Sequence, residues 1–181
     1  YRWYDEKNKI QYKYILADLK TGSKRFVDGL MTWMPTSDKY YYTEKVGGKN
    51  LLKTVDPLNN KVEILAEDMP DDYFVISPTE DYAILMHSTD GPKKEEGVFE
   101  IVYPDDRQPG WRNRTSLARY DFKTGMVQQL TYSYHGVWLS DISPDGKHIL
   151  FSVASDSITQ RPTTRATYYD LDLATMTTRK L

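Results

Sequence analysis

The chain has 181 residues, 39% hydrophobic and 28% charged, a composition that suits one folded domain with a sizeable core. Its formal net charge of −2 argues against nucleic acid as the main partner, because phosphate binding needs a basic surface. With no cysteine it has neither a disulfide framework nor thiolate chemistry, and no apolar run approaches the ~20 residues of a membrane-spanning helix.

The chain opens at Tyr1 inside the strand-like YRWYDE, which reads as part of a longer polypeptide whose targeting signal lies elsewhere. Tyr12–Asp18 then reads as a strand ending in aspartate. ILADLKTG turns at Thr21-Gly22 and leads into a strand at Lys24–Val27. The segment WMPTSDKYYY follows, with Pro35 in a polar turn and a strand over Tyr40–Glu44. Asn50–Asp56 closes on another aspartate and Lys61–Leu65 follows its turn. The pattern then returns: a strand at Tyr73–Ile76, the turn ISPTEDYAIL at Pro78, and a strand at Tyr82–His87. After an interruption come Ser116–Asp121, the turn of ARYDFKTG with Gly125, and Val127–Thr131. The last round is Val137–Ile142, the turn Ser143-Pro144-Asp145-Gly146, His148–Ala154, Ala166–Asp172 and Thr178–Leu181. Proline presets φ for the second position of a type I turn, and Ser and Gly suit its outer positions. The turns at Pro35 and Pro78 lack Asp-Gly, which leaves their type open. The fifteen tyrosines cluster in the strands, where they suit a half-buried pleated surface. Asp18, Asp56, Asp121 and Asp172 hold one equivalent place, and the expected role is to accept hydrogen bonds from turn amides. Gly22, Gly125 and Gly146 supply the conformational freedom such turns demand.

No window shows a helical period, so the chain reads as all-β. Four strands per unit of ~40–45 residues are the signature of a β-propeller. The expected architecture is four-stranded antiparallel blades, three complete and one partial, in an open arc of a larger propeller. The repeat units fall at about 1–28, 29–66, 67–131 and 132–181 in a single domain. ISPDGKHILF, paired with ARYDFKTG, resembles the PD40, or TolB-type, WD40-like propeller repeat. It is similar to the propeller domains of prolyl-oligopeptidase-family peptidases, especially the dipeptidyl-peptidase-IV-like branch. That resemblance implies a non-catalytic accessory domain that gates an attached α/β-hydrolase domain and contacts peptide substrate, in an exported protein, periplasmic or extracellular. The alternative is a TolB-like scaffold that binds protein partners without peptidase activity; a polysaccharide-degrading propeller is a third reading.

The interruption at 88–115 reads STDGPKKEEGVFEIVYPDDRQPGWRNRT. It holds Arg107, Arg112, Arg114 and Trp111, residue types that anchor interfaces or clamp carboxylates. Two readings stand: an outer hairpin whose arginines pair with its own acids, or a contact to peptide, hydrolase domain or a second copy of the chain. Glu95-Glu96 resembles in letters the glutamate pair with which dipeptidyl-peptidase-IV-like enzymes hold a substrate amino terminus. Its setting departs from theirs, because a Pro-Asp-Asp-Arg turn and an aspartate-ended strand follow it here. Asn113-Arg114-Thr115 matches a glycosylation sequon. Catalysis by this chain is not expected: G-x-S-x-G is missing, and His87, His135 and His148 have no metal-ligand spacing. No cofactor is expected.

Overall fold

Short runs of β-branched and aromatic residues, cut by proline and aspartate turns, give a chain of antiparallel hairpins. A computed structural model describes residues 2–27, 31–90, 114–133, 135–156 and 164–181. The strands are β1 (Arg2–Tyr4), β2 (Ile10–Tyr12), β3 (Tyr14–Ala17), β4 (Lys24–Val27), β5 (Thr32–Trp33), β6 (Tyr40–Val46), β7 (Lys49–Val55), β8 (Val62–Ala66), β9 (Tyr73–Ile76), β10 (Tyr82–Thr89), β11 (Arg114–Asp121), β12 (Val127–Gln129), β13 (Gly136–Ile142), β14 (His148–Asp156), β15 (Thr164–Asp172) and β16 (Thr177–Lys180). They form three four-stranded up-and-down sheets, β5 to β8, β9 to β12 and β13 to β16, none closed into a barrel. This is the all-β, open propeller-arc architecture that the repeat implies.

The N-terminal unit differs from the expectation. The strand read over Tyr12–Asp18 is interrupted at Lys13, so β1–β2 and β3–β4 are separate two-stranded sheets. Numbered by repeat unit, β5–β8 is the second sheet, β9–β12 the third and β13–β16 the fourth; the second gains a first strand, the two-residue β5, paired Trp33 to Tyr40.

The sheets stack through alternating side chains. In β10, Ala83 and Leu85 join Leu52, Met69, Ile76, Ala118 and Tyr120 in a core between the second and third sheets. Their neighbours Tyr82 and Ile84 join Leu117, Val137, Ile149, Phe151 and Leu171 in a core between the third and fourth. A strand buried on both faces is therefore apolar at successive positions, and Tyr82 to Leu85 are all at most 2% exposed. Phe151 stacks on Tyr169 with ring centroids 5.4 Å apart, beside the second core.

Candidate functional site

In up-and-down sheets the connections alternate between two rims. The proline and aspartate turns lie on one rim; the links after β6, β10 and β14 and those between sheets lie on the other.

The first rim is tied up in local and cross-sheet hydrogen bonds. The carboxylates of Asp18, Asp56, Asp121 and Asp172 accept from the amides of Lys20, Leu58, Thr124 and Ala174, each at 2.8 Å. The residue four places on adopts positive φ in all four turns: Gly22, Asn60, Gly125 and Met176, at 71°, 61°, 69° and 55°. The hydroxyl of Thr21 holds the Asp18 carboxyl below its ordinary value, that of Thr124 does the same for Asp121, and the Thr175 amide for Asp172. At the Ser-Pro-Asp-Gly turn, the Gly146 amide donates to the Ser143 carbonyl at 2.8 Å with φ of +67°. The Ser143 hydroxyl donates to Asp145 at 2.6 Å and is the main influence lowering that carboxyl's pKa. Glu80 occupies the glycine place in the third sheet, at φ +59°. Its carboxylate then accepts from the Thr36 and Ser37 amides of the second sheet's turn at 2.8 and 2.7 Å. The Thr36 hydroxyl donates to the Pro78 carbonyl at 2.6 Å. One interface further on, the Tyr82 hydroxyl donates to the Gly146 carbonyl at 2.8 Å, and burial pushes its pKa up to about 12. Arg119 lies over the Tyr82 ring, 4.4 Å from its centroid.

The opposite rim carries the open polar site. Strands β10 and β11 run on past their neighbours: β9 reaches only Met86, and β12 pairs no further than Ala118. The projecting ends put His87 opposite Ser116 and Thr89 opposite Arg114. Together with Gln129, Thr131, Tyr132 and Ser133 these line a cleft of about 560 Å³, within the usual range for ligand sites. The Asp72 carboxylate bonds the His87 Nδ1 at 2.9 Å, which fixes the ring. Thr131 anchors the far wall: its amide donates to the Leu117 carbonyl at 3.2 Å, and its hydroxyl accepts from the Leu117 amide at 2.9 Å. Gln129 donates to the Thr131 carbonyl at 2.8 Å. Tyr132 stands 86% exposed at the mouth.

This arrangement hydrogen-bonds and orients. Among the described residues Ser116 makes no hydrogen bond to His87, so Asp72, His87 and Ser116 are not a relay. His148 is held elsewhere, 3.0 Å from Asp170 on the fourth sheet. No group of three or more His, Cys, Asp or Glu among the described residues could hold a metal. No helix among them is long and apolar enough to cross a membrane.

Of the residues singled out from sequence, Arg114 stands in the cleft wall. Glu95, Glu96, Arg107, Trp111 and Arg112 lie outside the described residues. The sequence reading missed the cleft's His87, Asp72, Ser116 and Thr131, which meet only through strand register. A signal was present: the apolar run of β10 ends in His87, Ser88 and Thr89, polar at three successive positions.

No protein-family model matches the chain, and no curated protein matches it. Among solved structures it is similar to TolB from Acinetobacter baumannii, at 17% identity and a TM-score of 0.47, over 95% of this chain and 40% of that one. It is similar to the tricorn protease at 12% identity and a TM-score of 0.47, over 78% of this chain and 12% of that one. The chain thus spans well under half the length of either. At this level neither likeness carries weight for function, and the architecture rests on the sheet order and registers above.

Proposed function

We propose that the chain is a non-catalytic binding domain, a propeller arc of the scaffold kind that holds a peptide or protein on the rim where β10 and β11 project. The observation that carries this reading is the asymmetry of the rims: one is occupied by turns that clasp each other, the other opens into a polar cleft next to the 88–115 interruption. Arg107, Trp111, Arg112 and Arg114, with Glu95 and Glu96, are the side chains assigned to that contact. The reading extends, on the likeness of its turn segments, to the accessory propeller of an exported prolyl-oligopeptidase-type peptidase. There the same rim faces substrate, the α/β-hydrolase domain or a second copy.

The test is a displayed library of random linear peptides offered to the folded chain. Captured peptides should be lost from a chain carrying Arg107→Ala, Trp111→Ala and Arg112→Ala, and from His87→Ala. They should be kept by Lys20→Ala and Lys123→Ala on the turn rim. Capture that ignores the first set, or depends on the second, overturns the reading. In a polypeptide that also carries a hydrolase domain, Arg107→Ala with Arg112→Ala should raise KM for peptides and leave kcat in place; unchanged KM removes the peptidase extension.

A further inference from the structure

The clasp between the second and third sheets leaves two polar groups unmatched. Both amides that hold Glu80, those of Thr36 and Ser37, donate to its Oε1, at 2.8 and 2.7 Å. Its Oε2 takes no hydrogen bond among the described residues. The donors are neutral, so the carboxylate keeps its full charge. The Ser37 hydroxyl is buried and has no hydrogen-bond partner among the described residues. Buried polar groups are almost always paired, so an orphan of this kind marks a place for a further polar group.

Glu80 and Ser37 line one cavity of about 300 Å³, set between the turn at Pro35, strand β8 and the turn at Pro78. Its size is at the lower end of small-molecule cavities and well above the share of about 30 Å³ that one water takes. Thr54, only 5% exposed, adds a second hydroxyl to the lining. Ile64 and Leu65 of β8 give the cavity an apolar side. Lys39 and Glu63 also line it and pair with each other at 2.7 Å, so Glu80 is the charge left over in the lining. An anion would meet that carboxylate at close range. Calcium takes about six to eight oxygen ligands, and one unclaimed carboxylate oxygen with two hydroxyls falls short of that. A primary ammonium has three N–H donors, and Glu80 Oε2 with the Ser37 and Thr54 hydroxyls offers an acceptor for each. We infer that this cavity binds a primary alkylammonium group, its nitrogen against Glu80, Ser37 and Thr54 and its hydrocarbon stem along Ile64 and Leu65. The sources of that chemistry are a small free amine and the lysine side chain of a partner. The site is on the rim opposite the peptide contact proposed above and does not depend on it.

The probe is n-butylammonium chloride, titrated into the intact isotope-labelled chain at constant ionic strength, with the Thr36 and Ser37 amides followed by NMR. The controls, n-butanol and sodium butyrate, have the same length without the cation. Saturable shifts at those two amides are expected, with a dissociation constant of about 0.1–10 mM for a ligand this small. Either control should bind at least tenfold more weakly. Glu80→Gln keeps an oxygen for the two amides and removes the charge; it should cost tenfold or more. Ser37→Ala should cost severalfold without lowering the melting temperature, because its hydroxyl has no partner to lose. Nα-acetyl-lysine methylamide separates the two sources. Binding within tenfold of butylammonium assigns the site to a partner's lysine, and weaker binding assigns it to a free amine. Absence of saturable shifts at Thr36 and Ser37, equal binding of butanol or butyrate, or full binding by Glu80→Gln overturns the inference. The ligand arms leave the protein unaltered, so a Glu80 variant that fails to fold does not spoil the test.

Discussion

The third sheet and the N-terminal hairpins are built from the same local grammar and end in opposite states. In the third sheet, Tyr82 to Leu85 bury alternately into the two flanking cores. In β1 to β4 no described residue is buried; Phe26 is 64% exposed, with Lys13 over its ring. The β3–β4 hairpin meets the second sheet through Arg25, which donates to the Pro57 carbonyl at 3.0 Å and to the Asn60 side chain. A loosely filled space of about 680 Å³ lies between Arg25, Phe26 and Tyr40. A strand's stability here comes from having a sheet on each face, since apolar burial scales with area removed from water. Turn chemistry alone does not supply it.

That contrast can be broken first in the core. Leu85→Ala should lower unfolding free energy by about 2–5 kcal/mol, while Phe26→Ala should change it by less than about 0.5 kcal/mol; comparable losses in denaturant titrations would erase the distinction. Gly146→Val comes next, at about 2–3 kcal/mol, because the new side chain needs positive φ. Its Cβ would also lie 2.8 Å from Thr79 of the third sheet. The same change at Gly22, which has nothing within 4 Å of its Cβ position, should cost less. Met176→Gly should raise the unfolding free energy by up to about 1 kcal/mol, read as a higher melting temperature, since Met176 sits at φ +55°; a lower melting point would show that its side-chain contacts outweigh the backbone relief.

The smallest effect is in acid. Lys39, then Lys61, hold the Glu63 carboxyl down from 4.5 to about 2. A depressed carboxylate stabilises the fold above its ordinary value, and that contribution fades as pH falls from about 4.5 toward 2. Stability in Lys39→Met should therefore vary less over that window than in the parent chain. Equal slopes would mean the pair contributes nothing there.

Much of the molecule could be read from short stretches. The aspartate and the positive-φ residue four places on lie within one turn, so Asp18 with Gly22 and Asp121 with Gly125 are visible in the letters. The strand order follows because each hairpin pairs with its sequence neighbour. The break at Lys13 was not visible, since Tyr12–Asp18 is an unbroken β-forming run. The exchange of Glu80 with Thr36 and Ser37 was hidden as well: their bonding depends on two turns 42 to 44 residues apart arriving side by side. The cleft is hidden for the same reason.

The sequence by itself determined the hairpins, their turns and the sheets they make, because those interactions join residues a few positions apart and depend on local conformational preference. Only the tertiary structure decided which face of each strand is buried, which turns clasp, and where β10 and β11 run on past β9 and β12. Those outcomes depend on register and on the stacking of whole sheets, where groups remote in the chain compete for the same space.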